Sequence, residues 1–129
     1  MSRVVLDASA LVALLMKEPG AELVEAALDQ GEAMIGAANW AEVAGRLSRH
    51  GIVAKTVRDT MATIDLEVVP LDRDLALEAG LMEVKTRPLG LSLGDRCCLV
   101  LAERVQGTVL TTDRIWLKWK GKAKVVCIR

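Results

Sequence analysis

Residues 4–15 read VVLDASALVALL. Val4, Val5 and Leu6 form a short apolar strand that ends at Asp7, and residues 9–16 then follow as an apolar helix until Glu18-Pro19-Gly20 stops it. The same alternation of short Val- and Ile-rich runs with longer segments of helical period continues along the chain, which is the pattern of a parallel sheet with crossover helices. Helices are predicted over 21–30, closed by Gly31; from a cap at Asn39 to about His50, ended by Gly51; and over 53–64. A further helix starts at the cap Asp72, runs through Leu75, Ala79, Met82 and Val84, and fails near Arg87-Pro88, because proline disfavours helical geometry in the residue before it. A loop over 89–94 leads to a strongly apolar helix over 95–105 that Gly107 ends. The remaining strands are predicted at 33–36, 67–70, 109–110 and 125–126, giving one α/β domain over 1–129 with five strands.

Composition supports a packed domain and excludes several functions. In 129 residues, 52% are apolar and 26% charged, with 17 acidic and 17 basic side chains, so neither a disordered chain nor a second domain is expected. Phe and Tyr are absent and only three Trp are present, so the core is aliphatic and base stacking of the OB or RRM kind is nearly unavailable. The longest uncharged runs, such as residues 8–16, reach about nine residues, half the roughly 18 to 20 that a bilayer span needs. Asp7 before that run and the lack of a small-x-small cleavage pattern after it argue against a signal peptide. Cys97 and Cys98 are adjacent and Cys127 is distant, which suits neither a disulfide framework nor CxxC metal spacing and points to a reducing cytoplasm.

Charge is unevenly spread. Residues 1–113 hold 17 acidic and 11 basic groups, whereas residues 114–129 hold six basic groups and no acid: Arg114, Lys118, Lys120, Lys122, Lys124 and Arg129. Such a tail either lies along a phosphate backbone or forms an edge strand whose lysines block aggregation.

Ligands of open parallel sheets bind outside the carboxyl ends of the strands, so polar residues just after a strand carry the most information. Asp7 leaves the first strand, Glu42 is expected in the first turn of the helix after the second, Asp95 at the start of the helix before the fourth, and Asp113 leaves the fourth. Singly, each has an ordinary explanation. Asp7 and Asp95 suit helix caps, Asn39 with Glu42 suits a capping box, and Asp113 suits a turn. Jointly they fall on one rim, where carboxylates raise one another's pKa unless a cation offsets the repulsion. An oxygen-only set without His or Cys selects Mg²⁺ or Mn²⁺, ions that activate water for attack on phosphodiesters.

The strings VVLDASALVALL (4–15), NWAEV (39–43), LSLGDRCCLVLA (91–102) and TVLTTDRIW (108–116) resemble PIN-domain ribonucleases of the VapC toxin type, over essentially the whole chain. The resemblance implies a three-layer α/β/α, Rossmann-like sandwich with a parallel sheet in the order 3-2-1-4-5. It also implies Mg²⁺- or Mn²⁺-dependent endonucleolytic cleavage of RNA by the quartet Asp7, Glu42, Asp95 and Asp113, supported by the hydroxyls of Ser9 and Thr111. Asp7 and Asp95 would be the main metal ligands, with Glu42 and Asp113 acting through water or on a second metal. A homodimer and a small cognate antitoxin that reaches into the acidic pocket follow from the same likeness.

Arg96 and Arg114 follow two of the acids directly and suit either a phosphate clamp or a pairing with a neighbouring acid. Lys118 and Lys120, interleaved with Trp116 and Trp119, suit an RNA-facing edge, or else a core rim that the indoles cover. His50 falls at a helix end, a structural position. The vicinal cysteines read as small core residues.

Two other functions compete. A phosphatase of the haloacid-dehalogenase type also places an Asp after the first strand, but such enzymes carry a second acid two residues on, where this chain has Ser9, and no downstream lysine presents itself as catalytic. A catalytically silent interaction module is the non-enzymatic alternative, and four intact acids speak against it.

Overall fold

A computed structural model describes residues 2–129. The strands are β1 (Val4–Leu6), β2 (Ala33–Gly36), β3 (Glu67–Val69), β4 (Thr108–Thr111) and β5 (Lys124–Cys127). They form one parallel sheet in the order β3-β2-β1-β4-β5, the order that the sequence resemblance implies.

Side chains alternate across a strand, and this period of two builds the layers. Val5, Met34 and Val109 face one side of the sheet, together with Leu75, Ala79, Trp116 and the residues from Cys97 to Ala102. Leu6, Ile35 and Leu110 face the other, with Leu11, Val24, Val43, Leu47, Val57 and Met61. The first side is covered by α5 (Arg73–Leu81), α6 (Glu83–Thr86) and α7 (Leu93–Val105); the second by α1 (Ala8–Leu15), α2 (Ala21–Asp29), α3 (Ala37–Arg49) and α4 (Ala54–Ala62). Leu6, Leu11, Ile35, Leu99 and Leu101 are all essentially solvent-free. Truncating any of them to Ala removes roughly 2 to 5 kcal/mol.

Register brings the site together. Leu6 stands opposite both Ile35 and Leu110, so β1, β2 and β4 end level and the residues that follow them share a rim. Asp7 N–H donates to the Leu110 carbonyl at 3.2 Å and extends the ladder to that edge.

Local boundaries correct the sequence reading in five places. α3 begins at Ala37 with Gly36 as its N-cap, so Asn39 is no cap, there is no Asn39–Glu42 capping box, and Glu42 falls in the second turn. α7 begins at Leu93 with Ser92 as its cap, and Asp95 is the third helical residue, closing a capping box back to Ser92. The helix from Asp72 breaks at Met82 into α5 and α6, followed by a 3-10 turn over Arg87–Leu89. Arg87 keeps helical geometry (φ −54°, ψ −44°) although Pro88 follows, because the chain there tightens rather than stopping. α7 ends on Gln106 at φ 54°, not on Gly107; a Cβ at Gly107 would lie 2.8 Å from the Arg3 carbonyl, so that glycine serves the approach to β1. Asp7 and Asp72 do cap α1 and α5, accepting from Ala10 N–H and Leu75 N–H, each at 2.8 Å.

Candidate active site

Asp7 is 4% exposed, and its carboxylate accepts three hydrogen bonds, which leaves one acceptor site on Oδ2. Its Oδ1 accepts from Ala10 N–H at 2.8 Å and from the Ser9 hydroxyl at 2.7 Å; its Oδ2 accepts from the Thr111 hydroxyl at 2.6 Å. Each hydroxyl has one proton and gives it to the carboxylate, leaving its lone pairs for backbone donors. Ser9 Oγ accepts from Thr112 N–H at 2.9 Å, and Thr111 Oγ1 from Asp113 N–H at 3.1 Å. Thus β1 and β4 are tied across the rim, and the support expected from Ser9 and Thr111 has a geometric basis. Burial nevertheless outweighs these bonds and, with a further push from the charge of Asp95, raises the Asp7 carboxyl from 3.8 to about 6.

Glu42, on α3, is half-buried and meets α7 through Asn39. One Nδ2 proton of Asn39 goes to Glu42 Oε1 at 2.9 Å and the other to the Gly94 carbonyl at 3.0 Å. Gly94 makes room for the acid: a Cβ there would lie 2.5 Å from Glu42 Oε1 and 2.7 Å from Oε2. Asn39 itself is solvent-free, and among the described residues its buried Oδ1 has no hydrogen-bond partner, an omission that costs about 1 to 3 kcal/mol.

Asp95 uses Oδ2 to accept from Ser92 N–H at 2.9 Å. The Cys98 thiol, solvent-free on the same face of α7, is held well above the usual thiol range, first by burial and then by the charges of Asp7, Asp95 and Glu42. Asp113 lies at the exposed margin, where its Oδ1 accepts from Ile115 N–H at 3.1 Å and its backbone N–H, not its carboxylate, donates to Thr111 Oγ1.

Along the chain, Asp7 follows β1 directly, Asp113 lies two residues after β4, Glu42 falls in the second turn of α3 after β2, and Asp95 sits in the first turn of α7 next to Gly94, which Asn39 ties to Glu42. The ion pairs among the described residues, Lys55–Asp59, Arg87–Glu83, Arg104–Asp72 and Arg129–Glu18, leave all four without a cationic partner. Glu42 Oε2, Asp95 Oδ1 and Asp113 Oδ2 carry no hydrogen bond among the described residues. An uncompensated, oxygen-only set with one carboxyl raised by burial fits a hard divalent cation. Among the described residues no three His, Cys, Asp or Glu side chains are drawn together closely enough to hold an ion as they stand. Coordination would require the free oxygens to swing inward.

The basic and aromatic residues divide. Arg96 donates to the Ala79 carbonyl at 3.1 Å and to the Ser92 carbonyl at 3.4 Å, so it ties α5 to α7. Arg114, Lys118 and Lys120 are exposed. Trp116 is 1% exposed and packed in the core, which removes it from any RNA-facing edge. Trp119 is half-buried and lines a cleft of about 630 Å³ with Lys85, Lys118, Lys120 and Lys122. His50 ends α3, and Cys97 and Cys98 are buried, as read from sequence. The tail ends in the edge strand β5, with Lys124 exposed. Sequence reasoning missed the roles of Asn39 and Gly94; the signals were the i,i+3 spacing of Asn39 and Glu42 and the glycine directly before Asp95.

Comparison with known proteins agrees with this fold. Among curated proteins none matches significantly. Solved structures do. DNA-bound VapBC from Salmonella typhimurium is 16% identical, covering 100% of both chains with a TM-score of 0.72. The sarcin-ricin-loop-cleaving toxin VapC20 of Mycobacterium tuberculosis is 14% identical over 94% of this chain and 98% of that one (TM-score 0.73). PAE2754 from Pyrobaculum aerophilum is 22% identical over 97% and 90% (TM-score 0.67). At such identities the likeness concerns the fold. The family model of the PIN domain matches residues 4–122, from β1 past Asp113 to the cleft lysines, and on that match the chain belongs to the PIN domain family.

Proposed function

We propose that this chain is a divalent-metal-dependent endoribonuclease and the toxin of a toxin–antitoxin pair, acting as one catalytic domain in the cytoplasm. The observation that carries the reading is the set of carboxylates around the strand ends, one of them 4% exposed and raised to about 6, with no cationic side chain paired to them among the described residues. A protein keeps such a cluster against its own repulsion where a bound cation completes it.

Asp7 and Asp95 would hold Mg²⁺ or Mn²⁺, with Glu42 and Asp113 contributing directly or through water. The ion would supply an activated water and charge stabilisation at the phosphodiester. The chain's own residues do the rest. Ser9 and Thr111 fix the Asp7 carboxylate, Asn39 fixes Glu42, and the Ser92 capping box fixes Asp95. The exposed Arg114, Lys118 and Lys120 and the cleft beside Trp119 would attract the RNA backbone, a long-range pull that salt weakens. Arg96, whose donors are engaged by two carbonyls, would orient α5 against α7 instead of gripping phosphate.

A protein antitoxin as partner is supported by similar folds solved as complexes, including a toxin–antitoxin complex from Klebsiella pneumoniae. A homodimer is supported by exposed apolar side chains. Leu23 lies on α2 and Val53 caps α4, and Leu77, Leu81 and Val84 form a larger set on α5 and α6. The phosphatase reading has little support, since the position two residues after Asp7, where such enzymes carry a second acid, is Ser9, which donates to the Asp7 carboxylate.

Purified chain incubated with end-labelled RNAs in Mg²⁺, Mn²⁺ or EDTA tests the proposal. Cleavage that needs the ion and disappears in Asp7→Asn and Asp95→Asn is the expected result; unchanged cutting in EDTA or in both variants refutes it.

A further inference from the structure

The usual reason for an Asn near a helix start does not apply to Asn39: Gly36 caps α3, and Asn39 is solvent-free inside the first turn. Its amide faces two acceptors, Glu42 Oε1 and the Gly94 carbonyl, with one Nδ2 proton for each. That fixes the orientation, because the flipped amide would set three oxygens against one another. The other end of the amide gains nothing, since Oδ1 is buried without a partner. An apolar side chain of similar size would avoid that loss, so the amide is kept for what Nδ2 does.

Nδ2 joins two elements that are 55 residues apart in sequence, by bonds to a carboxylate on α3 and to the residue that precedes Asp95 on α7. It occupies Oε1 of Glu42 and leaves Oε2 free.

We propose that Asn39 is a positioning residue: it sets Glu42 and the first turn of α7 at the spacing from which Glu42 and Asp95 serve a common divalent cation. This rests on the nuclease reading above. A residue that merely clips two helices together would change stability; a residue that aims Glu42 changes ion affinity, and does so only while Glu42 is there to be aimed.

The test is calorimetric titration of Mn²⁺ into the full chain as wild type, Asn39→Leu, Glu42→Gln and the double variant, with RNA cleavage followed against Mn²⁺ concentration. In N39L the Mn²⁺ dissociation constant is expected to rise roughly tenfold, within the range for residues that orient metal ligands. The Mn²⁺ needed for half-maximal cleavage is expected to rise by the same factor, with the plateau restored at high Mn²⁺. In the E42Q background the same substitution is expected to change the constant less than twofold. Asn39→Ser, which keeps one donor, is expected to fall between wild type and N39L and carries the test alone if N39L does not fold. Wild-type Mn²⁺ affinity in the folded N39L or N39S chain, or an equal loss with and without Glu42, overturns the inference and leaves the nuclease reading standing. A wild-type chain that neither binds Mn²⁺ nor cuts RNA overturns both.

Discussion

The two buried corners of the rim hold their acids in different ways. At Asp7 three hydrogen bonds of 2.6 to 2.8 Å come from residues that strand register and a helix start bring there automatically. At Glu42 one amide bond and the space left by the missing Cβ of Gly94 hold the acid across a helix–helix contact. The first corner is set by the sheet and withstands change around it. The second depends on the packing of α3 against α7, so small substitutions there should alter ion binding with little effect on folding.

The sharpest contrast comes from charge removal. Asp7→Asn is expected to lower RNA cleavage by orders of magnitude while the circular-dichroism spectrum stays native, since Asn keeps the shape of the side chain. Near-wild-type cleavage in D7N would make the sheet corner a structural cap only.

The same corner has a signature in stability. Because the folded carboxyl of Asp7 titrates at about 6 against 3.8 for the ordinary value, the folded state binds a proton more tightly than the unfolded state. Metal-free protein therefore gains stability from Asp7 as pH falls from above 6 towards 4, by at most about 3 kcal/mol at roughly 1.4 kcal/mol per pKa unit. Melts in EDTA across that window are expected to show this gain in wild type and not in D7N, and D7N is expected to melt higher at pH 7.5. Parallel pH profiles would remove burial as the cause of the shift.

At the other corner, Gly94→Ala introduces a Cβ where the Glu42 carboxylate lies. The obstructed atoms are the end of a movable side chain, and Ala favours the helix by up to about 1 kcal/mol over Gly. Melting temperature is expected to hold or rise while Mn²⁺ affinity drops by about tenfold. Loss of stability together with unchanged affinity would mean that Glu42 is not aimed at an ion.

The smallest effect is expected outside both corners. Lys118→Ala with Lys120→Ala should raise the KM for RNA several-fold, flatten its salt dependence and leave kcat unchanged, because exposed lysines attract the backbone without touching the acids. A fall in kcat alone would place these lysines in the reaction instead.

This contrast also explains what the sequence made legible. The strand positions and the placement of Asp7 follow from short apolar runs and from an acid directly after a strand, both of which are local in sequence, whereas the strand order is implied only by the family resemblance. The Asn39 contact is not local, since its partner Gly94 is 55 residues away, and N-x-x-E before an apolar run reads most simply as a capping box. Asp95, read singly, suits a cap for a similar reason, but Ser92, three residues earlier, makes the actual cap and uses the acid to close the box. Trp116 illustrates the limit of composition. Lysines on either side of it suggest a nucleic-acid edge, yet the core packs around the indole.

The central claim is that the rim is completed by a divalent cation, and direct Mn²⁺ titration at pH 7.5, read by the loss of the free-ion paramagnetic resonance signal, tests it most directly. The account expects saturable binding to wild type that D7N abolishes. No saturable binding to wild type, or equal binding to D7N, would contradict it.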